Sequence, residues 1–197
     1  MKPIETSLSR RDFIRTSLCT ACGTLLFPWQ RAWGADAFEP SDSHVQEAYF
    51  YEPLKGESIR CNTCPHKCVI APGDRGRCRT KVNIAGKLYT ISYANPCTVN
   101  VDPVEKKPLL HFYPGSRTFS LAVAGCNFRC LNCQNWEISQ TSPDKTRNQD
   151  LPPDQVVSMA SRYGCQAIAY TYSEATTFFE YMVDTAAMAK TRGIKNI

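Results

Sequence analysis

Three closely spaced cysteines directly follow an apolar segment in the middle of the chain. Cys126, Cys130 and Cys133 have the spacing C-x3-C-x2-C, and residues 118–125 before them favour a short buried strand. The thiols are therefore expected on a loop at the carboxyl end of a first strand, where α/β sheets and barrels bind their ligands. An ordinary 4Fe–4S electron carrier uses four thiolates, so a set of three leaves one iron free to bind something else.

Three thiols could also form disulfides or bind a zinc ion. Cysteines in exported proteins usually form disulfides, but three within eight residues would leave one that must pair elsewhere. A zinc site would require a fourth ligand. The spacing therefore favours an iron–sulfur cluster over both alternatives.

The segment 125–136 resembles the signature of the radical SAM superfamily, and in particular that of the AmmeMemoRadiSam-system enzymes, relatives of pyruvate formate-lyase activating enzyme. The resemblance runs from about Arg60 to the end of the chain and includes residues 61–68, 102–115 and 169–175. It implies an α/β fold: the N-terminal part of a radical SAM partial (β/α) barrel, preceded by a small cysteine-rich hairpin module. Since only the first β/α units are present, the resemblance also implies a chain truncated at its carboxyl end.

The resemblance further implies an activity. Cys126, Cys130 and Cys133 would hold the 4Fe–4S cluster, and its free iron would bind S-adenosylmethionine. One electron would cleave this cofactor into methionine and a 5′-deoxyadenosyl radical, which removes a hydrogen atom from the substrate. The implied partners are a low-potential electron donor such as flavodoxin or ferredoxin, and a protein or small-molecule substrate. A glycyl-radical protein is one such substrate, and the residues that act on it are not assigned.

Three further residues are candidates for binding S-adenosylmethionine. Ser173 and Glu174 align with the strand end that holds the methionine amino group in the family, and Phe128 lies within the cysteine loop. A carboxylate at this position can accept charge-assisted hydrogen bonds from an ammonium group. The alternative for Glu174 is an ordinary acid near a helix N-terminus, which the helix dipole favours.

Two functions from other classes remain open. One is a non-catalytic iron–sulfur electron-transfer or metal-binding protein that keeps the cysteines but has lost the chemistry. The other is an exported binding protein stapled by disulfides, which would contain no iron.

A second group of cysteines has the spacing C-x2-C-x3-C-x9-C. Its members are Cys61, Cys64, Cys68 and Cys78. They precede residues 80–84 and 87–93, which predict a hairpin that turns at Ala85 and Gly86. A module this small would hardly be stable through apolar burial alone. The sequence leaves three possibilities open: a zinc ion, a second iron–sulfur cluster, or two disulfides.

The first 35 residues resemble a twin-arginine export signal. Arg10 and Arg11 are followed by a weakly apolar stretch, residues 18–29, which is shorter than the roughly 20 residues that span a bilayer. The signal implies export by the twin-arginine translocase to the periplasm or inner membrane, or a cytoplasmic protein if it is not used. The alternative is an amphipathic helix that carries arginines.

Most of the net charge of +5 lies in residues 1–35, so the chain offers little basic surface for nucleic acid. Residues 36–58 look like a linker, 59–116 form the cysteine-rich module with its connector, and 117–197 form the first β/α units of the core.

The remaining pattern predicts alternating helices and strands. Asp154 is expected to cap a helix that ends at Gly164, and a helix over 176–191 separates strands at 166–171 and 194–197. This order predicts a parallel sheet.

Three regions outside these elements also carry expectations. Residues 139–150 are expected to be exposed, and Trp136 is expected to pack beneath the cysteine loop. Residues 102–115 predict a loop with solvated charges, in which the resemblance points to Lys107 or His111 as facing the site.

Overall fold

A four-stranded sheet forms the centre of the fold in the computed structural model, which describes residues 38–40 and 42–197. The strands are β7 (Thr98–Pro103), β8 (Arg117–Ala122), β9 (Ala167–Tyr170) and β10 (Lys195–Asn196), in the order β10-β9-β8-β7. Strands β8, β9 and β10 are parallel, as the sequence predicts, and β7 is antiparallel to β8. The α/β fold class is therefore confirmed, with small sheets and no closed barrel in the described residues. The predicted export signal lies outside those residues.

Two helices pack on this sheet, and a one-turn helix follows the cysteine loop. They are α1 (Trp136–Ser139), α2 (Pro153–Arg162) and α3 (Phe179–Thr191), with a 3-10 turn, Ala175–Phe178, leading into α3. The apolar faces of α2 and α3 pack against the sheet. The buried core between them includes Phe119, Leu121, Val156, Ile168 and Tyr181. None of the helices in the described ranges has the length and apolar character needed to cross a membrane.

The expected cap of α2 is wrong. The residue at the N-cap is Pro152, and Asp154 lies inside the first turn without making a side-chain cap. Pro153 suits the first helical position because its fixed φ prepares the first turn and its missing N–H would be unpaired there anyway. The carboxylate of Asp154 still lies at the end of the helix that the dipole makes favourable for an anion.

Two small three-stranded sheets form the cysteine-rich module. One joins β1 (Gln46–Glu47) to the hairpin of β5 (Lys81–Ile84) and β6 (Lys87–Thr90), in the order β1-β6-β5. The hairpin prediction is confirmed. Ala85 and Gly86 have φ values of 49° and 79°, as two-residue hairpin turns require.

The second small sheet consists of β2 (Tyr51–Pro53), β3 (Ile59–Cys61) and β4 (Val69–Ile70). Strands β1 and β2 lie in the segment that we expected to be a linker. This expectation is wrong for residues 46–53, because both strands pair with the module and the adjoining Val45 and Ala48 are buried.

A buried ion pair joins the module to the main sheet's helices. The Nζ of Lys81, on β5, binds Oε2 of Glu180, on α3, and their side chains are 1% and 0% exposed. The Thr80 hydroxyl beside it donates to the carbonyl of Thr177 at 2.7 Å. These contacts fix the module against the start of α3, close to the carboxyl ends of β8 and β9.

The polar segment after α1 is less exposed than we expected. Ser139 and Ser142 are only 1% and 3% exposed, and Pro143 is also buried. Backbone hydrogen bonds from Gln149 and Leu151 to the stretch before β7 draw the segment onto the core. Its polar side chains had suggested solvent exposure, but backbone pairing holds several of them inside.

Candidate metal and cofactor site

A cavity of about 470 Å³ opens at the carboxyl ends of β8 and β9. Six of the residues lining it are those that the sequence singled out for the cluster and its cofactor. They are Cys126, Phe128, Cys130, Cys133, Ser173 and Glu174. Two loops that are about fifty residues apart in sequence therefore meet at one cavity, whose volume is within the usual range for small-molecule sites.

The cysteine loop leaves β8 through a tight turn at Gly125. This residue has a φ of 103°, and a Cβ there would lie 2.5 Å from the carbonyl oxygen of Cys78. Only glycine fits, because any side chain would collide with the backbone of the module. The turn places Cys126 in a buried position, 7% exposed, at the inner end of the cavity.

The three thiols differ in their surroundings. The backbone N–H of Phe128 donates to Sγ of Cys126 at 3.4 Å, and Sγ of Cys133 lies 3.3 Å from the Ser139 hydroxyl. Cys130 is exposed. Hydrogen bonds of this kind to sulfur are among the means by which a protein tunes an iron–sulfur cluster.

Arg129 holds the loop in shape. Its guanidinium donates to the carbonyl oxygens of Cys126 at 2.8 Å and of Arg77, in the module, at 2.5 Å. Burial, together with the neighbouring Arg79 and Arg77, lowers the pKa of Arg129 from its ordinary value. Since an arginine pKa is so high, the group stays charged and continues to fasten the loop to the module.

The loop after β9 forms the opposite wall. The Ser173 hydroxyl donates to the carbonyl of Val123 at 2.8 Å, which ties this loop to the end of β8. Glu174 is half-buried, and its Oε1 accepts a hydrogen bond from the Thr176 hydroxyl at 3.2 Å. No ion pair within residues 38–40 and 42–197 involves Glu174, so its carboxylate can receive a cationic group.

Sequence reasoning missed a charged network on the cavity wall. Lys106 and Lys107, which both line the cavity, bind the two carboxylate oxygens of Asp102 at 2.8 Å and 2.7 Å. The Tyr172 hydroxyl also donates to Asp102, and the Lys107 ammonium lies 4.4 Å from the centre of the Tyr172 ring. Tyr172 adopts a φ of 68°, an unusual value that orients this ring toward the network.

The electrostatic balance of this network favours ionised Asp102. Burial raises the pKa of Asp102, whereas hydrogen bonds from Lys106, Lys107 and Tyr172 lower it. The hydrogen bonds together outweigh burial, so the pKa lies well below its ordinary value. Burial and the hydrogen bond to Asp102 raise the pKa of Tyr172. The network therefore holds two ammonium groups and one carboxylate, which leaves excess positive charge at the cavity wall.

Two expectations for the residues around this cavity are wrong. The charges of Asp102 and Lys107 are buried rather than solvated, because they pair with each other. Lys107 lines the cavity, whereas His111 is exposed and does not. Trp136 is 62% exposed and does not pack beneath the loop. The neighbouring Asn135 lines the cavity instead.

The second cysteine group lines a separate and much smaller cavity, of about 20 Å³. Cys61, Cys64, Cys68 and Cys78 all contribute to its wall. Every one of the nine cysteines in the described part of the chain is a free thiol, so the two disulfides that we considered are not formed here. Nowhere among the described residues do three or more His, Cys, Asp or Glu side chains converge closely enough to hold a metal ion.

The donors at the larger cavity are three thiols and one carboxylate. Three thiolates can each bind one iron of a 4Fe–4S cluster and leave the fourth iron without a protein ligand. The carboxylate of Glu174, on the same cavity, fits the ammonium group of S-adenosylmethionine by charge.

Comparison with known proteins gives two relatives, both uncharacterized proteins of Methanocaldococcus jannaschii. The first is 47% identical over 153 residues, which cover 78% of this chain and 46% of the relative. The second is 34% identical over 87 residues, which cover 44% of this chain and 21% of the relative. The chain thus spans less than half the length of each. No protein-family profile matches the chain, and no solved structure matches it.

Proposed function

We propose that this chain carries the first β/α units of a radical SAM enzyme related to pyruvate formate-lyase activating enzyme. Cys126, Cys130 and Cys133 would hold a 4Fe–4S cluster that leaves one iron for S-adenosylmethionine. The parallel strands β8, β9 and β10 would begin the partial (β/α) barrel of that class. The observation that carries the proposal is the meeting of the three thiols with Ser173 and Glu174 at one cavity.

When bound, the cluster and S-adenosylmethionine would supply a one-electron cleavage and a radical able to remove hydrogen from a substrate. The chain's own residues would bind and orient. The Glu174 carboxylate would accept hydrogen bonds from the cofactor's ammonium group, since no ion pair within the described residues occupies it. Ser173, through its bond to Val123, would keep that wall at a fixed distance from the cysteine loop.

The loop itself is preorganised by contacts that do not depend on a cofactor. Gly125 allows the backbone to pass against the module, and Arg129 fastens the loop to Arg77. Phe128 is 54% exposed at the cavity, where its ring can cover one side of a bound cofactor. A site held in advance loses less conformational entropy when it binds.

The same proposal includes the partners that the chemistry requires. A low-potential donor such as flavodoxin or ferredoxin would reduce the cluster at the exposed Cys130 side of the loop. The substrate would be a protein, for example a glycyl-radical protein, or a small molecule. If the twin-arginine signal is used, the translocase would deliver the protein, with its cofactor already inserted, to the periplasm or inner membrane.

The test is electron paramagnetic resonance of the anaerobically purified, iron-reconstituted and reduced protein, before and after addition of S-adenosylmethionine. We expect a signal from a reduced 4Fe–4S cluster that changes with the cofactor, together with release of 5′-deoxyadenosine. Cys126→Ala should lose both, whereas Cys97→Ala should keep both, because Cys97 lines neither cysteine cavity.

Other outcomes would select another function. A cluster whose signal ignores S-adenosylmethionine would favour the electron-transfer protein. A protein that takes up no iron at all would refute the proposal.

A further inference from the structure

The four cysteines of the module come from two tight turns that face each other. Cys61 ends β3, Cys64 and Cys68 belong to the turn between β3 and β4, and Cys78 lies in the turn before β5. Although seventeen positions separate Cys61 from Cys78, all four side chains reach the wall of the same small cavity. Four thiols that line one small cavity raise the question of which ligand they bind.

Both turns are held by backbone geometry rather than by apolar packing. In the first turn, the N–H of Cys61 donates to the carbonyl of Cys68 at 2.9 Å, and Lys67 has a φ of 45°. In the second, the N–H of Arg79 donates to the carbonyl of Gly76 at 2.9 Å, and Arg79 has a φ of 68°. The backbone therefore shapes both turns and places the cysteines of each turn at the wall of the cavity.

Four thiols accept either a single zinc ion or an iron–sulfur cluster. The cavity that they line is small, about 20 Å³, which is room for a single ion. A cube of four irons and four sulfides has eight heavy atoms and would require both turns to open, whereas a single ion requires the thiols only to close in. We propose that Cys61, Cys64, Cys68 and Cys78 bind one zinc ion, which takes four thiolates in structural sites.

The charges around the cavity suit this ligand. Four thiolates around a divalent ion carry a net charge of −2 by simple addition. Arg77 and Lys81 both line the cavity. Because Glu180 already balances the charge of Lys81, Arg77 brings the uncompensated positive charge.

Zinc binding must draw the thiols together, since no three of the described side chains converge on an ion position. Cys61 is 6% exposed and anchored on β3, whereas Cys64, Cys68 and Cys78 are half-exposed and lie on turns. The three turn cysteines can therefore close onto the fixed one. Structural zinc sites commonly form in this way, with binding free energy contributing directly to folding.

The site also reaches the cysteine loop of the larger cavity. Asn127 lines the zinc cavity, and its carbonyl oxygen accepts hydrogen bonds from His66 at 3.0 Å and from Arg77 at 3.3 Å. Both donors belong to the two zinc-binding turns. The ion would therefore hold the backbone next to Cys126, whether or not that loop carries a cluster.

The experiment measures metal content in the full chain, purified without added iron or zinc. Elemental analysis should find roughly one zinc per chain. Cys64→Ser and Cys78→Ser should each lower the zinc content at least tenfold. Cys97→Ser, which lies outside both cavities, should keep it. Cys126→Ser should also keep it, and this separates the zinc site from the proposed cluster site.

Measurements on the wild-type protein guard against variants that fail to fold. Replacing zinc by Co²⁺ should give the intense visible bands of tetrahedral cobalt with a sulfur-to-metal charge-transfer band. Removing the metal with a chelator should make four more thiols reactive toward a disulfide reagent.

Three results would overturn the proposal. They are wild-type protein without zinc, zinc content unchanged in Cys64→Ser, and iron that is lost from Cys64→Ser but retained in Cys126→Ser. The last result would assign a second iron–sulfur cluster to the module.

Discussion

The ion pair between Lys81 and Glu180 offers a sharp test of how the module is attached. The side chains are 1% and 0% exposed, and within the described residues the only other hydrogen bond to the Glu180 carboxylate comes from the Tyr49 N–H at 3.3 Å. Lys81→Met would leave a buried carboxylate with that single partner. Breaking a buried pair in this way costs about 3–5 kcal/mol.

The assay is urea unfolding followed by circular dichroism. With a slope of about 2 kcal/mol per M, the midpoint should fall by roughly 1.5–2.5 M. The double variant Lys81→Met, Glu180→Met removes both charges and should regain most of the loss, because two apolar side chains can pack where the pair was. Lys87→Met is the matched control. Its partner Glu47 lies at the surface, 47% exposed, so the loss should be at most about 1 kcal/mol.

A loss below about 1 kcal/mol for Lys81→Met would refute the reasoning, since it would mean that water or another cation reaches Glu180. A double variant as unstable as the single one would also contradict it. In that case the side chains would matter through their shape rather than through their charges.

Four further substitutions test the larger cavity. Gly125→Ala should lower the free energy of unfolding in urea by about 1–3 kcal/mol and should lower iron uptake, because its Cβ would lie 2.5 Å from a backbone carbonyl oxygen. Gly56→Ala is the control. It has open space around it and should lose less stability despite its φ of 66°. Glu174→Gln should weaken S-adenosylmethionine binding in calorimetry at least tenfold while iron content stays unchanged; equal affinity would exclude its proposed role. The lowered pKa of Asp102 contributes stability above the unfolded value of about 3.9, and this contribution is lost as pH falls toward the folded pKa. Asp102→Asn should flatten the decline of thermal stability between about pH 4 and pH 2, and Tyr172→Phe should make that decline smaller because it brings the folded pKa closer to the unfolded one.

The elements that sequence could predict are those with strong local signals. Strands β8 and β9 are short apolar runs buried on both faces, and the β5–β6 hairpin has a turn that suits positive φ. Strand β7 was missed although its residues alternate between polar and apolar, as those of a half-buried strand do. A proline-rich segment follows it and reads as a connector.

Most of the candidate site could be predicted from residue types and motifs rather than from local secondary-structure signals. Three cysteines within eight residues indicate a ligand by their chemistry and spacing, whereas Ser173 and Glu174 on the second wall were predicted from the resemblance to the radical SAM superfamily. The Asp102 network could not be found in this way, since Tyr172 is 70 residues away from it. The pairing of β7 with β8 and of β8 with β9 brings the two residues together. The exposure of Trp136 was equally invisible, because an aromatic residue near a site says nothing about its orientation.

The contacts that close the module over the cysteine loop have a consequence for how the protein is made. Thr80 and Lys81 bind partners 97 and 99 residues further along the chain. During synthesis at about 5–20 residues per second, those partners emerge on the order of 5–20 s later. Throughout that interval the thiols of the module are present without the surface that later covers them. Oxidation or the wrong metal therefore has its best opportunity on the ribosome, before the chain has folded.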